Sequence, residues 1–175
     1  MGLEQPATLV HPFAGEGKPR WFHYFSDASV HLRAMTGGVG MLACGVVQAT
    51  AARQHQTNPD AHSGEVVAAG TNVNDCIQIN GTLQELSIRQ GKPTPFYLDS
   101  ITTIFVARKD AARKSMWLQR RIHVLQEAVE ANEILPLHIS ESNMVADPFT
   151  KYLTFKVWAR LTHYLLNKPG DAQDL

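Results

Sequence analysis

The chain has 175 residues, of which 44% are hydrophobic, and this is enough for one domain with a sizeable core. Its 16 basic and 16 acidic side chains cancel, so the overall charge does not indicate a nucleic-acid-binding protein, although a local basic patch is compatible with these totals. The two cysteines lack CxxC spacing and predict neither a disulfide framework nor a zinc site, and no apolar run reaches the roughly 18 residues of a membrane span. We therefore expect an intracellular protein with no membrane partner.

Both ends of the chain predict irregular structure, and the part between them predicts one domain. Repeated prolines and glycines indicate an irregular lead-in over residues 1–20. The sequence KPGDAQDL at 168–175 is interpreted as a flexible tail. Residues 21–167 are then the folded domain.

The first predicted strand lies in WFHYFSDAS, residues 21–29, where aromatic side chains favour a strand. Asp27 comes at the end of this apolar run, and a carboxylate beside a packed sheet is costly unless a partner compensates for its desolvation. The small and β-branched residues that follow predict strands at about 39–45 and 46–54, with Gly45 at the bend or at a bulge.

A helix is predicted from Gly64 or Glu65 to about Leu86, with Ser63 as its cap. Its rough apolar face consists of Val66, Ala69, Val73, Cys76, Ile77 and Leu83. Its propensity is poor, because glycine and asparagine disfavour a helix interior. The disfavoured positions are Gly70, Asn72, Asn74, Asn80 and Gly81.

In the second half of the chain, FYLDS repeats the opening pattern of a short apolar strand that ends in an acid, Asp99. The next residues, SITTIFVAR, predict a short helix. Residues 110–133 predict an amphipathic helix with one apolar stripe. That stripe consists of Leu118, Ile122, Leu125 and Val129.

The last elements are a strand and a helix. The sequence ILPLHI predicts a strand over 134–139, and Pro136 places it at an edge of the sheet. A helix at about 154–167 carries Trp158, Leu161 and Leu165. The order β, β, β, α, β, α, α, β, α predicts an α/β fold with a mixed sheet and helices on its faces. Ligands of such sheets bind where strands end and helices begin.

Four acids lie at these predicted boundaries: Asp27, Glu65, Asp99 and Asp147. Carboxylates brought together without cations would repel each other and take up protons, whereas three or four of them suit Mg²⁺. Two such ions roughly 3.5–4 Å apart can activate a water and stabilise a leaving oxygen in phosphodiester cleavage. Taken singly, each acid is also a common turn former or helix cap.

Four segments resemble the ribonuclease H domain of copia-type retrotransposon polyproteins. YFSDAS resembles the first-acid motif of ribonuclease H domains. HSGEVVAAGTNVNDCIQINGTLQEL is similar to the family's STEAEYIAL segment, and PTPFYLDSITTIFVAR is similar to PTPLYCDNQSAIALA. VEANEILPLHISESNMVADPFTK resembles VEEGEIKLEYVPTEDNLADIFTK. The four segments follow one another in the family's order and cover about residues 21–153.

The resemblance implies a ribonuclease H-like fold, in which three antiparallel strands are followed by parallel strands in a five-stranded mixed sheet flanked by helices. It also implies that Asp27, Glu65, Asp99 and Asp147 are catalytic and bind two Mg²⁺ ions, for which Mn²⁺ substitutes. The implied reaction is endonucleolytic cleavage of the RNA strand of an RNA–DNA hybrid, which leaves a 3′-hydroxyl and a 5′-phosphate. The implied partner is a reverse transcriptase domain of the same polyprotein, in the cytoplasm, the nucleus or a retroelement particle.

Several positions depart from the family's pattern. GEV replaces AEY around the second acid, and LDS replaces CDN around the third. The loop SESN lacks the mobile histidine of cellular and retroviral members. His138 is predicted to be a half-buried strand residue, His123 a packing or surface residue, and Glu141 a candidate for product release or proton handling.

Substrate contacts are predicted from the resemblance and from local charge. The resemblance places Asn143 in the loop near the metals. Candidates for contact with ribose 2′-hydroxyls are Ser29, Ser63, Asn72 and Asn74. The basic residues of 108–121 are either a solvated helix face or a surface that binds phosphates. They are Arg108, Lys109, Arg113, Lys114, Arg120 and Arg121.

Two other interpretations stay open. The same fold can serve as a non-catalytic module that binds nucleic acid or docks onto a larger assembly, and the unfavourable helix after Glu65 favours this interpretation. The presence of all four acids argues against it, because an acid cluster without a role would destabilise the fold. A different nuclease or an integrase of the same fold is the third interpretation, against which the segment NMVADPFTK argues.

Overall fold

The computed structural model describes residues 21–29, 34–43, 45–55, 60–88, 90–108 and 118–166. Its strands are β1 (Phe22–Ser29), β2 (Met35–Leu42), β3 (Gly45–Arg53), β4 (Thr94–Leu98) and β5 (Ile134–His138). Its α-helices are α1 (Ala61–Glu85), α2 (Ile101–Ala107), α3 (Gln119–Glu130) and α4 (Phe155–Leu165). Two short 3₁₀ turns, Glu141–Asn143 and Asp147–Phe149, lie between β5 and α4. The predicted lead-in and tail lie outside the described residues, so the domain boundaries stay a prediction.

The strands form one sheet in the order β3-β2-β1-β4-β5. β1, β2 and β3 are antiparallel neighbours, whereas β4 and β5 continue the sheet in parallel with β1. The predicted mixed sheet is therefore confirmed, and Pro136 lies in an edge strand as predicted. The bulge falls between Gly40 and Met41, whereas Gly45 begins β3 directly after the turn.

The two faces of the sheet are covered by different parts of the chain. On one face, α1, α2 and α3 pack over a core that includes Tyr24, Phe96 and Leu125. On the other face, Phe25 belongs to a second cluster with residues of the 3₁₀ segment, including Met144. Because side chains alternate along a strand, β1 contributes to both clusters.

The capping residue of α1 differs from the prediction. Asp60 has an extended backbone conformation, and its Oδ1 accepts a hydrogen bond of 2.7 Å from the N–H of Ser63. Ser63 is therefore inside the first turn, and the prediction that it caps the helix is wrong. Since α1 begins at Ala61, Glu65 lies in its second turn.

The residues that disfavour α1 make contacts with the rest of the domain. Asn72 Nδ2 lies 2.8 Å from both Ser26 Oγ and the Gly37 carbonyl oxygen. Asn80 Nδ2 donates a bond of 2.8 Å to Thr94 Oγ1. A Cβ atom on Gly70 would lie 3.0 Å from Arg121 Cβ, so glycine lets α1 and α3 approach each other. Tertiary contacts thus compensate for poor local propensity.

The remaining helices agree with the sequence over the described residues. The predicted stripe of the third helix is found, with Leu118 and Leu125 buried, while 110–117 lie outside the described residues. In α4, Leu161 is buried, whereas Trp158 is 48% exposed. Among the described helices, none has both the length and the apolar character that crossing a membrane requires.

Candidate metal centre

Asp27 lies inside β1, and its side chain is completely buried. The prediction that the strand ends there is wrong, because β1 continues to Ser29. Asp27 pairs across the sheet with Gly37 of β2. Its carboxylate is held by Thr150, whose Oγ1 donates a hydrogen bond to Asp27 Oδ2.

Gly37 allows the segment that carries Thr150 to lie against the sheet. A Cβ atom at Gly37 would lie 2.5 Å from Thr150 Cγ2 and 3.1 Å from the carbonyl oxygen of Ala146. Any side chain at this position would push the segment away. The glycine in β2 therefore positions the last acid motif over the carboxylate of β1.

Three of the four predicted acids meet at one place. β1 and β4 are parallel neighbours, so they bring Asp27 and Asp99 to the same part of the sheet, and α1 supplies Glu65. One carboxylate oxygen from each of the three residues lies within 4.8 Å of the other two. The sequence-based prediction that these acids converge agrees with this geometry.

Asp147 joins the cluster through a lysine. Lys151 Nζ lies 3.0 Å from Asp147 Oδ1, 3.3 Å from Asp27 Oδ1 and 3.9 Å from Asp99 Oδ2. Its side chain is only 22% exposed. Sequence reasoning missed Lys151 as a site residue, although it stands four positions after Asp147 in the motif DPFTK.

Burial and mutual repulsion change the protonation of the acids. Burial raises the pKa of Asp27 to about 6, even though Lys151 and the hydrogen bond from Thr150 act in the opposite direction. Burial, followed by the charges of Asp99 and Asp27, raises the pKa of Glu65 to about 9. For Lys151, burial disfavours the ammonium, but the charges of the surrounding aspartates outweigh it and raise the pKa above its usual value.

The donor set fits a divalent metal ion. All three converging ligands are hard carboxylate oxygens, which Mg²⁺ and Mn²⁺ accept. Glu65 Oε2 is buried and has no hydrogen-bond partner among the described residues, so none of these compensates for its lost hydration. A cation between Asp27, Glu65 and Asp99 would compensate for this lost hydration.

The predicted loop residues lie in the 3₁₀ turn that follows β5. Asn143 is half-buried in the first 3₁₀ turn, which Arg160 of α4 fixes by donating a hydrogen bond to the carbonyl oxygen of Ser142. Glu141 is 79% exposed, with its Oε1 4.0 Å from Lys151 Nζ. His138 is exposed, so the prediction that it is half-buried is wrong.

His123 was predicted to be either a packing residue or a surface residue, and it is a surface residue. It is exposed on α3, where its Nε2 lies 3.0 Å from Glu127 Oε1 in the next turn.

The predicted 2′-hydroxyl contacts are only partly accessible. Asn72 is completely buried and uses its amide inside the fold, so its assignment to substrate binding disagrees with the structure. Ser29 and Ser63 are also buried, whereas Asn74 is exposed on α1.

The basic residues predicted over 108–121 do not all have the same surroundings. Arg120 is exposed in the first turn of α3. Arg121 is half-buried and its Nη1 lies 3.4 Å from the Gly70 carbonyl oxygen, while Arg108 donates a bond of 2.8 Å to that of Pro136. Arg121 therefore stabilises the packing of α3 on α1, and Arg108 stabilises the packing of α2 on β5. Three other predicted members, Lys109, Arg113 and Lys114, lie outside the described residues.

Solved ribonuclease H structures share this architecture. The N-terminal RNase H domain of Rv2228c from Mycobacterium tuberculosis, solved as a fusion with maltose binding protein, has 11% identity and a TM-score of 0.58, over 75% of this chain and 91% of that chain. LC11-RNase H1, isolated from compost by a metagenomic approach, has 15% identity and a TM-score of 0.58, over 74% of this chain and 92% of that chain. The structure of LC11-RNase H1 in complex with an RNA/DNA hybrid has 12% identity and a TM-score of 0.55, over 73% of this chain and 92% of that chain. No family model and no curated protein matches the chain. At these identities the likeness shows the fold, which is ribonuclease H-like.

Proposed function

We propose that this chain is a ribonuclease H of the copia-retrotransposon type, which cleaves the RNA strand of an RNA–DNA hybrid. The observation that carries the proposal is the convergence of Asp27, Glu65 and Asp99 within a ribonuclease H-like fold. The retrotransposon origin rests on the four motif resemblances in the sequence. A reverse transcriptase domain of the same polyprotein is the proposed partner, and an intracellular compartment or particle is the proposed location.

In this proposal, Asp27, Glu65 and Asp99 hold a divalent metal ion, and Asp147 contributes to a second. When bound, Mg²⁺ ions supply an activated water and compensation for the charge of the leaving oxygen in phosphodiester hydrolysis. Thr150 and Gly37 keep the Asp27 carboxylate and the Asp147 segment in place. The burial of Asp27 limits access of bulk water to the centre, which strengthens its electrostatic interactions.

One solved complex supports the proposed substrate class. LC11-RNase H1, which has the same fold, was solved in complex with an RNA/DNA hybrid. Exposed Arg120 and half-buried Asn143 are proposed to contact the hybrid, and we extend this proposal to Arg113 and Lys114 on their charge alone. Because the net charge is zero, we expect tight binding to need the proposed polymerase partner.

One observation favours a second candidate function. The Lys151 ammonium compensates charge among the acids without any metal ion, with its Nζ 3.0 Å from Asp147 and 3.3 Å from Asp27. Such compensation would suit a ribonuclease H-like module that has lost catalysis and retains nucleic-acid binding or docking.

A cleavage assay tests the proposed function. Purified protein with Mg²⁺ is mixed with a hybrid in which each strand is labelled separately. We expect cleavage of the RNA strand only, and loss of cleavage in Asp27→Asn and Asp99→Asn. The surface variant Glu127→Gln is the matched control and should cleave normally, since Glu127 is 60% exposed on α3. An intact hybrid after incubation with correctly folded wild-type protein would refute catalysis and favour the module.

A further inference from the structure

We infer that the Lys151 ammonium serves as a counter-ion of this centre. It occupies the space between Asp27 and Asp147 and must move away before a second divalent ion can bind there. The inference rests on the proposed function, because it concerns the metal ions of the same site. It adds a property that the four acids alone do not predict, namely that the two metal positions are unequal.

The contacts of Lys151 are those of a held counter-ion. Its Nζ lies within hydrogen-bond distance of Asp147 Oδ1 at 3.0 Å and of Asp27 Oδ1 at 3.3 Å. Hydrogen bonds between an ammonium and a carboxylate are among the stronger ones in proteins. Asp27 is fully buried and Asp147 is 6% exposed, so water does little to replace these two contacts.

The carboxylate oxygens divide into two groups. On the Lys151 side, Asp27 Oδ1 and Asp147 Oδ1 lie within hydrogen-bond distance of the ammonium, and Asp99 Oδ2 lies 3.9 Å from it. Asp27 Oδ2 already accepts from Thr150. On the other side, Glu65 Oε2 is buried, and no residue in the part of the chain that the structure describes forms a hydrogen bond with it. Each carboxylate oxygen can accept a second partner. A first divalent ion can therefore bind at Glu65, Asp99 and Asp27 while Lys151 keeps its contact with Asp147.

A second ion at Asp27 and Asp147 would need the oxygens that Lys151 uses. Like charges at such short separation repel strongly in a partly buried site, so the ammonium and the ion exclude each other. The lysine has a flexible four-carbon stem, and Glu141 Oε1 lies 4.0 Å from Nζ at the exposed rim. Glu141 thus offers the displaced ammonium a partner outside the centre.

The test is the stoichiometry of Mn²⁺ binding, measured by electron paramagnetic resonance of the free ion. In wild type we expect one Mn²⁺ per chain, with a second that binds at least tenfold more weakly. Lys151→Met keeps the length of the side chain and removes its charge, and should tighten the second site at least tenfold. Lys151→Arg should retain the weak second site, and Lys156→Met, at an exposed position of α4, should behave like wild type.

Because Lys151→Met also removes a counter-charge from buried acids and can unfold the chain, a second measurement uses the wild type. The ¹H–¹⁵N signal of the Lys151 ammonium, assigned by its loss in Lys151→Arg, should shift a little with the first equivalent of Mg²⁺ and much further as the second site fills. A signal that does not shift further between the first equivalent and saturating Mg²⁺, or equal second-site affinities in wild type and Lys151→Met, would overturn the inference.

The outcomes separate this inference from the proposed function. If Mn²⁺ binds as expected but no hybrid is cleaved, the proposed catalysis fails and the role of Lys151 stands. If the hybrid is cleaved and the two Mn²⁺ sites are equal in wild type, the role of Lys151 fails and the proposed function stands. If no variant binds Mn²⁺, both fail.

Discussion

Asp27 of β1 lies directly opposite Gly37 of β2, and the missing side chain of the glycine makes room for Thr150, which holds the Asp27 carboxylate. A buried acid and a small residue on the neighbouring strand thus form one structural unit. The acid supplies the charge, and the glycine lets the segment that carries Asp147 and Lys151 reach it.

Gly37→Ala should destabilise the domain and weaken metal binding. Its Cβ would lie 2.5 Å from Thr150 Cγ2, so the segment must shift, at a cost of about 1–3 kcal/mol in the free energy of unfolding. Denaturant unfolding with and without Mg²⁺ measures both effects.

The matched control for this substitution is Gly81→Ala. Gly81 lies in the interior of α1, and a Cβ atom there would meet no described atom within 4 Å. This variant should be more stable than wild type by about 0.5–1 kcal/mol, because alanine favours a helix. Equal unfolding free energies for wild type and Gly37→Ala would contradict the role of the glycine.

Stability without metal should fall as the pH rises. Folding raises the pKa of Glu65 from an ordinary 4.5 to about 9, so the folded chain keeps a proton that the unfolded chain releases. The stabilisation from this proton is complete below pH 4.5 and is lost as the pH rises towards 9. Asp27, with its pKa raised to about 6, adds a loss of the same sign at lower pH.

Denaturant unfolding in a chelator at pH 5.5, 7.0 and 8.5 measures this dependence. Glu65→Gln cannot titrate, so its stability should fall less steeply over the same range. Mg²⁺ should stabilise the wild type more at high pH, because it binds the deprotonated acids. Parallel pH profiles for wild type and Glu65→Gln would refute the raised pKa.

Asn72→Ala should affect folding and leave substrate affinity unchanged. The substitution removes hydrogen bonds to Ser26 and to the Gly37 carbonyl oxygen inside the fold, and leaving buried polar groups unpaired costs about 1–3 kcal/mol. Asn74→Ala, at an exposed position of the same helix, should stay within about 0.5 kcal/mol of wild type. A raised KM for the hybrid with unchanged stability would instead restore the substrate contact for Asn72.

The sequence was sufficient to predict the order of elements, the mixed sheet and the approach of three acids. These three features follow from the hydrophobic patterns of single helices and strands and from the motif resemblance. It was not sufficient for Asp60 as the cap of α1, because Asp60 and Ser63 are both good capping residues and the backbone conformation decides between them. The contact between Lys151 and Asp27 was missed for another reason, since the two residues are 124 positions apart in the chain and only the fold brings them together.

Asn72 illustrates a further limit of sequence reasoning. A polar residue in a helix next to a predicted site is typically interpreted as a residue that contacts the substrate. The Asn72 side chain instead faces Ser26 of β1. Only the tertiary arrangement of α1 on β1 distinguishes an amide that faces the sheet from one that faces a substrate.

A crystal structure with Mn²⁺, in which anomalous scattering locates the ion, tests the proposed metal centre most directly. We expect a peak bound by Asp27, Glu65 and Asp99, with Glu65 Oε2, which has no hydrogen-bond partner among the described residues, now a ligand. At saturating Mn²⁺, a structure with no peak at these three residues would contradict the proposed metal centre.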